Sequence, residues 1–410
     1  MMKKVSLSSV LLLALVTPFI MTYRLGPGET PYWLFSSIFL LCLAYLVIDV
    51  LSLGERIYFT IKHYLLYIII LTVIGSAFIS AIIVRHQTHP IYMIHDIVLQ
   101  QEAAIRFLLD GKNPYSTTYF GTFLEQWHYS QTEKNPALYH FVMQPFYLYF
   151  ALPFYFLSNH TIGYFDGRIP LLLLFFVALL LPLFLVKDKE KRLILITLLA
   201  FNPAMLPYTL EGRSDIFMFS FLFLAWYFLQ KHKFIVASIT MAIAFGIKQS
   251  VWPILPFYLF YLYLVIKNKQ KLTIAISVFF ATFIAILLPF LLWDSKSFLE
   301  STVYYLSGNT PHSYPISGYG LGMLLRDVGV IKDVKQYFPF IYFQAVICVP
   351  LLIVLSLSLK KNPTVSKLIF TYGIFLFVYW YLSRYFNNSH LGYLSVIFIT
   401  AHFWPDEKIA

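Results

Sequence analysis

The chain has 410 residues, of which 59% are hydrophobic and 12% charged. Soluble domains carry about 25% charged residues, so an ordinary soluble enzyme is excluded. The net charge of +11 does not point to nucleic acid, because the basic residues fall in short clusters between apolar runs, the pattern of cytoplasmic loops.

In chain order, apolar runs predict spans at about 5–23, 32–52, 64–84, 168–186, 193–209, 214–230, 234–247, 249–266, 272–292, 338–359, 368–386 and 389–404. Each is a candidate to cross a hydrocarbon core of about 30 Å. The pattern is not the polar–apolar alternation of a membrane β-barrel. The expected fold is therefore all-α, a polytopic membrane bundle of about twelve spans. The basic clusters are Lys3-Lys4, Lys187 to Arg192, Lys231 to Lys233, Lys267 to Lys271 and Lys360-Lys361. With Lys3-Lys4 inside, twelve spans put every cluster on the cytoplasmic side and both termini in the cytoplasm. Anionic lipid headgroups add a minor role for these charges. The first twenty residues resemble a signal peptide but show no small-residue cleavage site, so a retained span is expected. Cys42 and Cys348 both fall inside spans and predict neither a disulfide framework nor a zinc site.

Two stretches resist a simple span. Segment 140–157 is apolar but interrupted by Pro145 and Pro153, and a full crossing would put Lys187 to Arg192 outside. It is expected to lie in-plane or re-enter, which is tolerated where protein covers it. Region 234–266 is too long for one helix and breaks at Gly246-Ile247-Lys248-Gln249-Ser250-Val251-Trp252-Pro253. Two polar regions then face outward, 85–139 and about 293–337. Two short elements join them, Glu211-Gly212-Arg213-Ser214-Asp215 and Arg384-Tyr385-Phe386-Asn387-Asn388-Ser389-His390.

Within the first polar region, residues 95–110 predict a helix. Glu102, Arg106 and Asp110 are spaced to form an ion-pair ladder. Gly111 suits the C-terminal cap, and Asn113-Pro114 prevents continuation. Asp96 falls in the first turn, where the helix dipole favours its ionised form. Two readings stand on spacing alone: Asp96 caps the helix, or it accepts a proton from a hydroxyl at the membrane boundary. The cluster from Glu211 to Asp215 reads either as a functional charged group at membrane depth or as a self-neutralised helix start. Lys248 lies between two apolar half-helices. It needs an anionic partner, either a lipid-linked phosphate or a carboxylate such as Asp215, unless it snorkels to the interface. His86, His89 and His95 offer only a weak divalent site, and no metal or other cofactor is expected. The tyrosines of the second polar region, including Tyr304, Tyr305, Tyr314 and Tyr319, read as interfacial anchors or as sugar platforms.

The ordered set of these motifs resembles the integral-membrane glycosyltransferases of the C superfamily (GT-C). It is most similar to the bacterial polyprenyl-phosphate-mannose-dependent mannosyltransferases of family eighty-seven and related families. The matching residues are Asp96 with the helix ending Asp110-Gly111-Lys112-Asn113-Pro114-Tyr115, then Asn202-Pro203, Glu211 to Asp215, Ala242 to Lys248 leading to Pro253, and Pro289 to Trp293-Asp294. The resemblance implies two extra N-terminal spans at 1–63, a catalytic core at 64–294 and a C-terminal part at 295–410 that holds the second outer loop. It implies Asp96 as general base, with Asp215, Lys248, Arg213, Glu211 and Tyr115 binding substrate. No paired Asp-X-Asp stands in the first loop, which makes a metal-dependent variant less expected.

The implied reaction is inverting transfer of a hexose, mannose by resemblance, from a polyprenyl-phosphate donor to a lipid or glycan acceptor. It would occur at the extracytoplasmic face of a bacterial plasma membrane. The alternative is a transporter or flippase for lipid-linked saccharides, which needs a polar path through both leaflets. A non-enzymatic membrane subunit is a third reading.

Overall fold

The computed structural model describes residues 5–22, 31–128 and 133–405. The Lys3-Lys4 pair on which the expected orientation turns lies outside them. The fold is all-helical. Helices α1 (Leu7–Thr22) and α2 (Tyr32–Val50) precede α3 (Glu55–Ile70), which passes through a π turn at Leu71–Gly75 into α4 (Ser76–Gln87). The two form one 33-residue apolar rod from Glu55 to Gln87. The expected span at 64–84 thus starts nine residues early, and the boundary at 63 falls inside a continuous helix.

The first polar region contributes α5 (Asp96–Leu109) and short 3-10 turns. Then come α6 (Phe146–Thr161), α7 (Arg168–Leu185), α8 (Lys189–Ala200), α9 (Leu206–Leu210), α10 (Asp215–Gln230) and α11 (Phe234–Phe245). A 3-10 turn at Gln249–Ile254 leads to α12 (Leu255–Val265) and the long α13 (Lys269–Leu299). The second polar region holds α14 (Tyr305–Ser307), the two-residue strand β1 (Ser317–Gly318) and α15 (Leu321–Asp327). Helices α16 (Ile341–Lys361) and α17 (Val365–Tyr381), strand β2 (Tyr385–Phe386) and α18 (Asn388–Phe403) complete the chain.

Among the described residues, five helices are long and apolar enough to cross a membrane: Tyr32–Val50, Glu55–Gln87, Arg168–Leu185, Lys269–Ser307 and Ile341–Lys361. Shorter apolar helices include α10, α11 and α17. Helix α10 packs between α7 and α11, α11 against α13, and α18 against α17 and α8. Helix α16 leaves Ile341, Val346, Val349, Ile353, Val354 and Leu357 exposed. A face this apolar is unfavourable in water and suits hydrocarbon.

Not every expected span is a single helix. The run 193–209 divides into α8 and α9 around Asn202-Pro203. Pro203 lacks an N–H, and the Asn202 side chain takes over locally by accepting from the Ala204 N–H at 3.0 Å. Its amide also donates to Ser395 Oγ at 2.8 Å, tying the break to α18.

Helices α1 and α2 dock on the rest through a buried ion pair. Lys62 Nζ lies 2.6 Å from Asp49 Oδ1, with side-chain exposures of 0% and 1%. The ammonium also donates to Ser6 Oγ (2.6 Å) and Ser9 Oγ (2.8 Å) on the α1 side. Glu190 of α8 accepts from the Ser8 N–H at 2.8 Å. Removing one member of a buried pair costs about 3–5 kcal/mol, because the other charge stays buried and unpaired. Asp49→Asn is therefore expected to loosen α1 and α2. Limited proteolysis of purified protein would show faster cleavage near residues 50–55; unchanged cleavage would contradict the clamp.

Candidate active site

Helix α5 starts where the sequence places it, but its cap is His95, whose Nδ1 lies 3.3 Å from the Ile97 N–H. Asp96 is the first helical residue and does not act as the cap. Its carboxylate is held instead by side chains: Asn135 Nδ2 donates to Oδ2 at 2.8 Å, and His95 Nδ1 lies 2.8 Å from Oδ1. Burial alone would raise its pKa. His95, Asn135 and the Arg213 charge outweigh burial and hold it at about 2. Asp96 is thus ionised at neutral pH.

The expected Glu102–Arg106–Asp110 ladder does not form. Glu102 turns inward to a bidentate pair with Arg85, with both contacts at 2.8 Å. The reason is that Arg85, at the end of α4, is itself buried and needs a carboxylate. Gly111 does end the helix, in the left-handed conformation (φ 73°).

The element Glu211 to Asp215 is brought against α5 by two features. The His95 N–H donates to Glu211 O at 2.7 Å. Gly212 has φ 86°, and a Cβ there would collide with Val98 and Arg168, so only glycine allows this approach. Arg213 pairs with Glu211 at 3.2 Å and lies over the Tyr208 ring, 4.4 Å from its centroid. Asp215 opens α10 and is buried.

The break after α11 presents Lys248 in extended conformation (φ −153°, ψ 138°). The carbonyls left free by the break are not orphaned. Gly246 O accepts from the Phe146 N–H (2.9 Å), and Ile247 O from the Gln144 N–H (3.0 Å). The irregular backbone is thereby covered by protein, as the membrane interior requires. Lys248 Nζ bonds Asp215 Oδ1 at 2.7 Å and keeps 22% side-chain exposure.

These elements enclose one cavity of about 1090 Å³. Asp96, Arg213, Asp215 and Lys248 all line it. So do His95 and Trp127 of the first loop, Tyr314 and Tyr319 of the second, and Arg384 and His390 beyond α17. Its wall continues along apolar side chains of α16 and α17, including Ala345, Val349 and Phe375. Glu211 does not line the cavity but pairs with Arg213, which does. Tyr115 does not line it either. It is buried, its hydroxyl donates to Met143 O (2.9 Å), and its ring packs on Phe141, Phe290 and Phe298. It is a packing residue away from the cavity. Among the described residues no group of three or more His, Cys, Asp or Glu has metal-holding geometry. His86 instead stacks on Tyr164 at 3.8 Å, and His95 serves Asp96.

Sequence reasoning missed Asn135 and the role of Arg384. Arg384 donates to the carbonyls of Tyr314 (2.5 Å), Val334 (3.2 Å), Lys335 (3.1 Å) and Gln336 (2.9 Å). With the β1–β2 pairing of Ser317 with Tyr385 and Gly318 with Phe386, it folds the second loop onto the cavity. No local pattern announces a guanidinium solvated by main-chain carbonyls; its place in a short outward element was the available signal. The pairing of Asn135 with Asp96 spans 39 residues and leaves no periodic trace.

The site therefore combines an ionised carboxylate, two cations with carboxylate partners and a partly apolar wall. Compared with protein-family models, with curated proteins and with solved structures, the chain matches none.

Proposed function

We propose that the chain is a membrane glycosyltransferase of GT-C type that moves a hexose from a polyprenyl-phosphate donor to a lipid or glycan acceptor. The observation that carries this reading is the convergence of Asp96, Arg213 and the Asp215–Lys248 pair on one cavity with an apolar extension. A lipid-borne phosphate sugar needs these features together: cations for the phosphate, a base for the incoming hydroxyl and a greasy wall for the chain.

In this reading the acceptor oxygen attacks the anomeric carbon from the face opposite the phosphate. A new C–O bond forms as the sugar–phosphate C–O bond breaks, with inversion. The electron pair leaves on the phosphate, near Lys248 and Arg213, where positive charge favours departure. The acceptor proton moves to Asp96. Glu211 and Asp215 keep the two cations oriented. The remainder of the reading is twelve spans, both termini in the cytoplasm, and a site on the outer face of a bacterial plasma membrane. It follows from the loop charges, and mannose follows from the resemblance.

The direct test is incubation of the purified protein with labelled polyprenyl-phosphate sugars and membrane lipid extract, with mass spectrometry of the product. Sugar released from the donor and found on a new carrier supports the reading. Movement of intact donor across vesicles without transfer would favour a flippase instead. Within that assay Lys248→Met is expected to raise the KM for donor about tenfold or more, as for loss of one charge-assisted hydrogen bond, with acceptor KM little changed. Lys248→Arg keeps the charge and should retain most donor affinity. Equal effects on donor and acceptor would argue against a phosphate role.

A further inference from the structure

We propose that His390 determines specificity for the sugar, its Nε2–H donating to one ring hydroxyl of the hexose that the donor carries. The proposal rests on the transfer reading and adds to it the group that recognises the sugar. The first observation is a fixed tautomer. The Asn387 N–H donates to His390 Nδ1 at 3.0 Å. A main-chain N–H can only donate, so Nδ1 is unprotonated and the neutral imidazole carries its proton on Nε2. The second observation is that Nε2 has no hydrogen-bond partner among the described residues, although His390 is only 7% exposed and lines the cavity. A buried donor left without an acceptor is unfavourable, and the cavity is where an acceptor can reach it.

The ring is held in place. It packs at 66° to the Trp380 ring with centroids 4.4 Å apart, and stands 5.6 Å from Tyr385 and 6.1 Å from Phe386. Helix α18 is seated in turn, because a Cβ at Gly392 would collide with Ala204 O. The chemistry beside the imidazole selects the ligand. Tyr385, Asn388 and Ser389 also line the cavity, and none carries charge at neutral pH. Arg384 directs its guanidinium to main-chain carbonyls of the second loop. A phosphate is matched by the cations Lys248 and Arg213. A fixed neutral donor among aromatic rings matches a hydroxyl instead, and sets which sugar is accepted.

The test offers polyprenyl-phosphate mannose and its 2-, 3-, 4- and 6-deoxy analogues, with the glucose series beside them, to wild type and to His390→Asn. Asparagine places its carbonyl oxygen near the position of Nδ1, which keeps an acceptor for the Asn387 N–H, and has no atom at Nε2. In wild type one deoxy analogue is expected to have kcat/KM at least about tenfold below its parent sugar, since a site built to bond a hydroxyl discriminates against its loss. In His390→Asn the same analogue should come within about twofold of the parent. Each ratio is taken within one protein, so a change in folded fraction cancels. Equal ratios in the two proteins, or a wild type indifferent to every deoxy position, would overturn the proposal and leave the transfer reading intact. No transfer from any donor would sink that reading and the proposal with it. A second measurement needs no turnover: ¹⁵N NMR of histidine-labelled protein near pH 7, with the His390 signals assigned by their loss in His390→Asn. They should show a protonated Nε2 and a bare Nδ1; the opposite tautomer would refute the proposal whatever the reaction.

Discussion

Asp96→Asn is expected to lower transfer by about 10²–10⁴-fold, the range for loss of a positioned general base, without altering the fold. The amide is nearly isosteric, so the contacts at Oδ1 and Oδ2 can be approximated by a neutral group. What disappears is the charge and the capacity to take a proton. With a pKa near 2, Asp96 is too weak a base to ionise an alcohol at rest. It can accept the proton only as the new C–O bond forms and the hydroxyl acidifies, so proton transfer is late and tied to departure of the phosphate. The folded pKa lies below the ordinary value of 3.8. The ionised form therefore adds stability above about pH 4, which is lost as pH falls towards 2. The asparagine variant should accordingly be slightly less stable at neutral pH. Elution on a sizing column and the thermal midpoint in detergent check the fold; labelled-sugar transfer checks the chemistry. Full activity in a folded variant would remove Asp96 from the mechanism.

Much of this arrangement was legible because membranes constrain sequence strongly. Apolar runs reported helices, and the helix breaks at Asn202-Pro203 and Gly246 to Pro253 coincided with polar residues that end up at or near the cavity. The end of α5 was readable from Asn113-Pro114 and from Gly111, which is left-handed. The misreadings have a common cause. Glu102 looked like a member of a surface ladder because i to i+4 spacing is visible in sequence, whereas its real partner, Arg85, lies 17 residues earlier on another helix. Tyr115 adjoined a matching motif, but adjacency says nothing about which way a ring points, and this one points into aromatic packing. The Asn135 and Arg384 contacts depend on loops folding back over long separations. Their geometry is set by closure of the outer regions, which hydrophobic period does not encode.

The largest stability effect is expected at Asp166, which the sequence did not single out. Asp166 and Glu102 face Arg85 and Arg168, and all four side chains are buried. Asp166 Oδ2 accepts from Arg85 Nη1 and Arg168 Nη2, both at 2.8 Å, and Oδ1 accepts from Arg168 Nε at 2.9 Å. Burial opposes its charge, but Arg168 first, then His86 and Arg85, hold its pKa well below the ordinary carboxylate range. Two positive and two negative charges thus cancel inside the protein. Asp166→Asn leaves two guanidinium groups with one carboxylate and is expected to cost about 3–5 kcal/mol. The damage should reach the site, because Arg85 Nε holds Pro90 O at 2.6 Å and Arg168 Nη1 holds Met93 O at 3.0 Å. Those carbonyls shape the segment that delivers His95 and Asp96, and Met93 is in the left-handed region (φ 45°). The double change Asp166→Leu with Arg168→Met removes one charge of each sign and leaves Arg85 paired with Glu102. It should be less destabilising than Asp166→Asn alone, since apolar replacement of a whole buried pair is often tolerated. Thermal unfolding in detergent at pH 7 gives the comparison. Lowering the pH through the range where Asp166 protonates should bring the wild type towards the single variant, because its stabilisation is present above about pH 4 and is lost below it. A single variant as stable as wild type, or a double variant worse than the single, would show that charge balance is not what holds this corner of the fold.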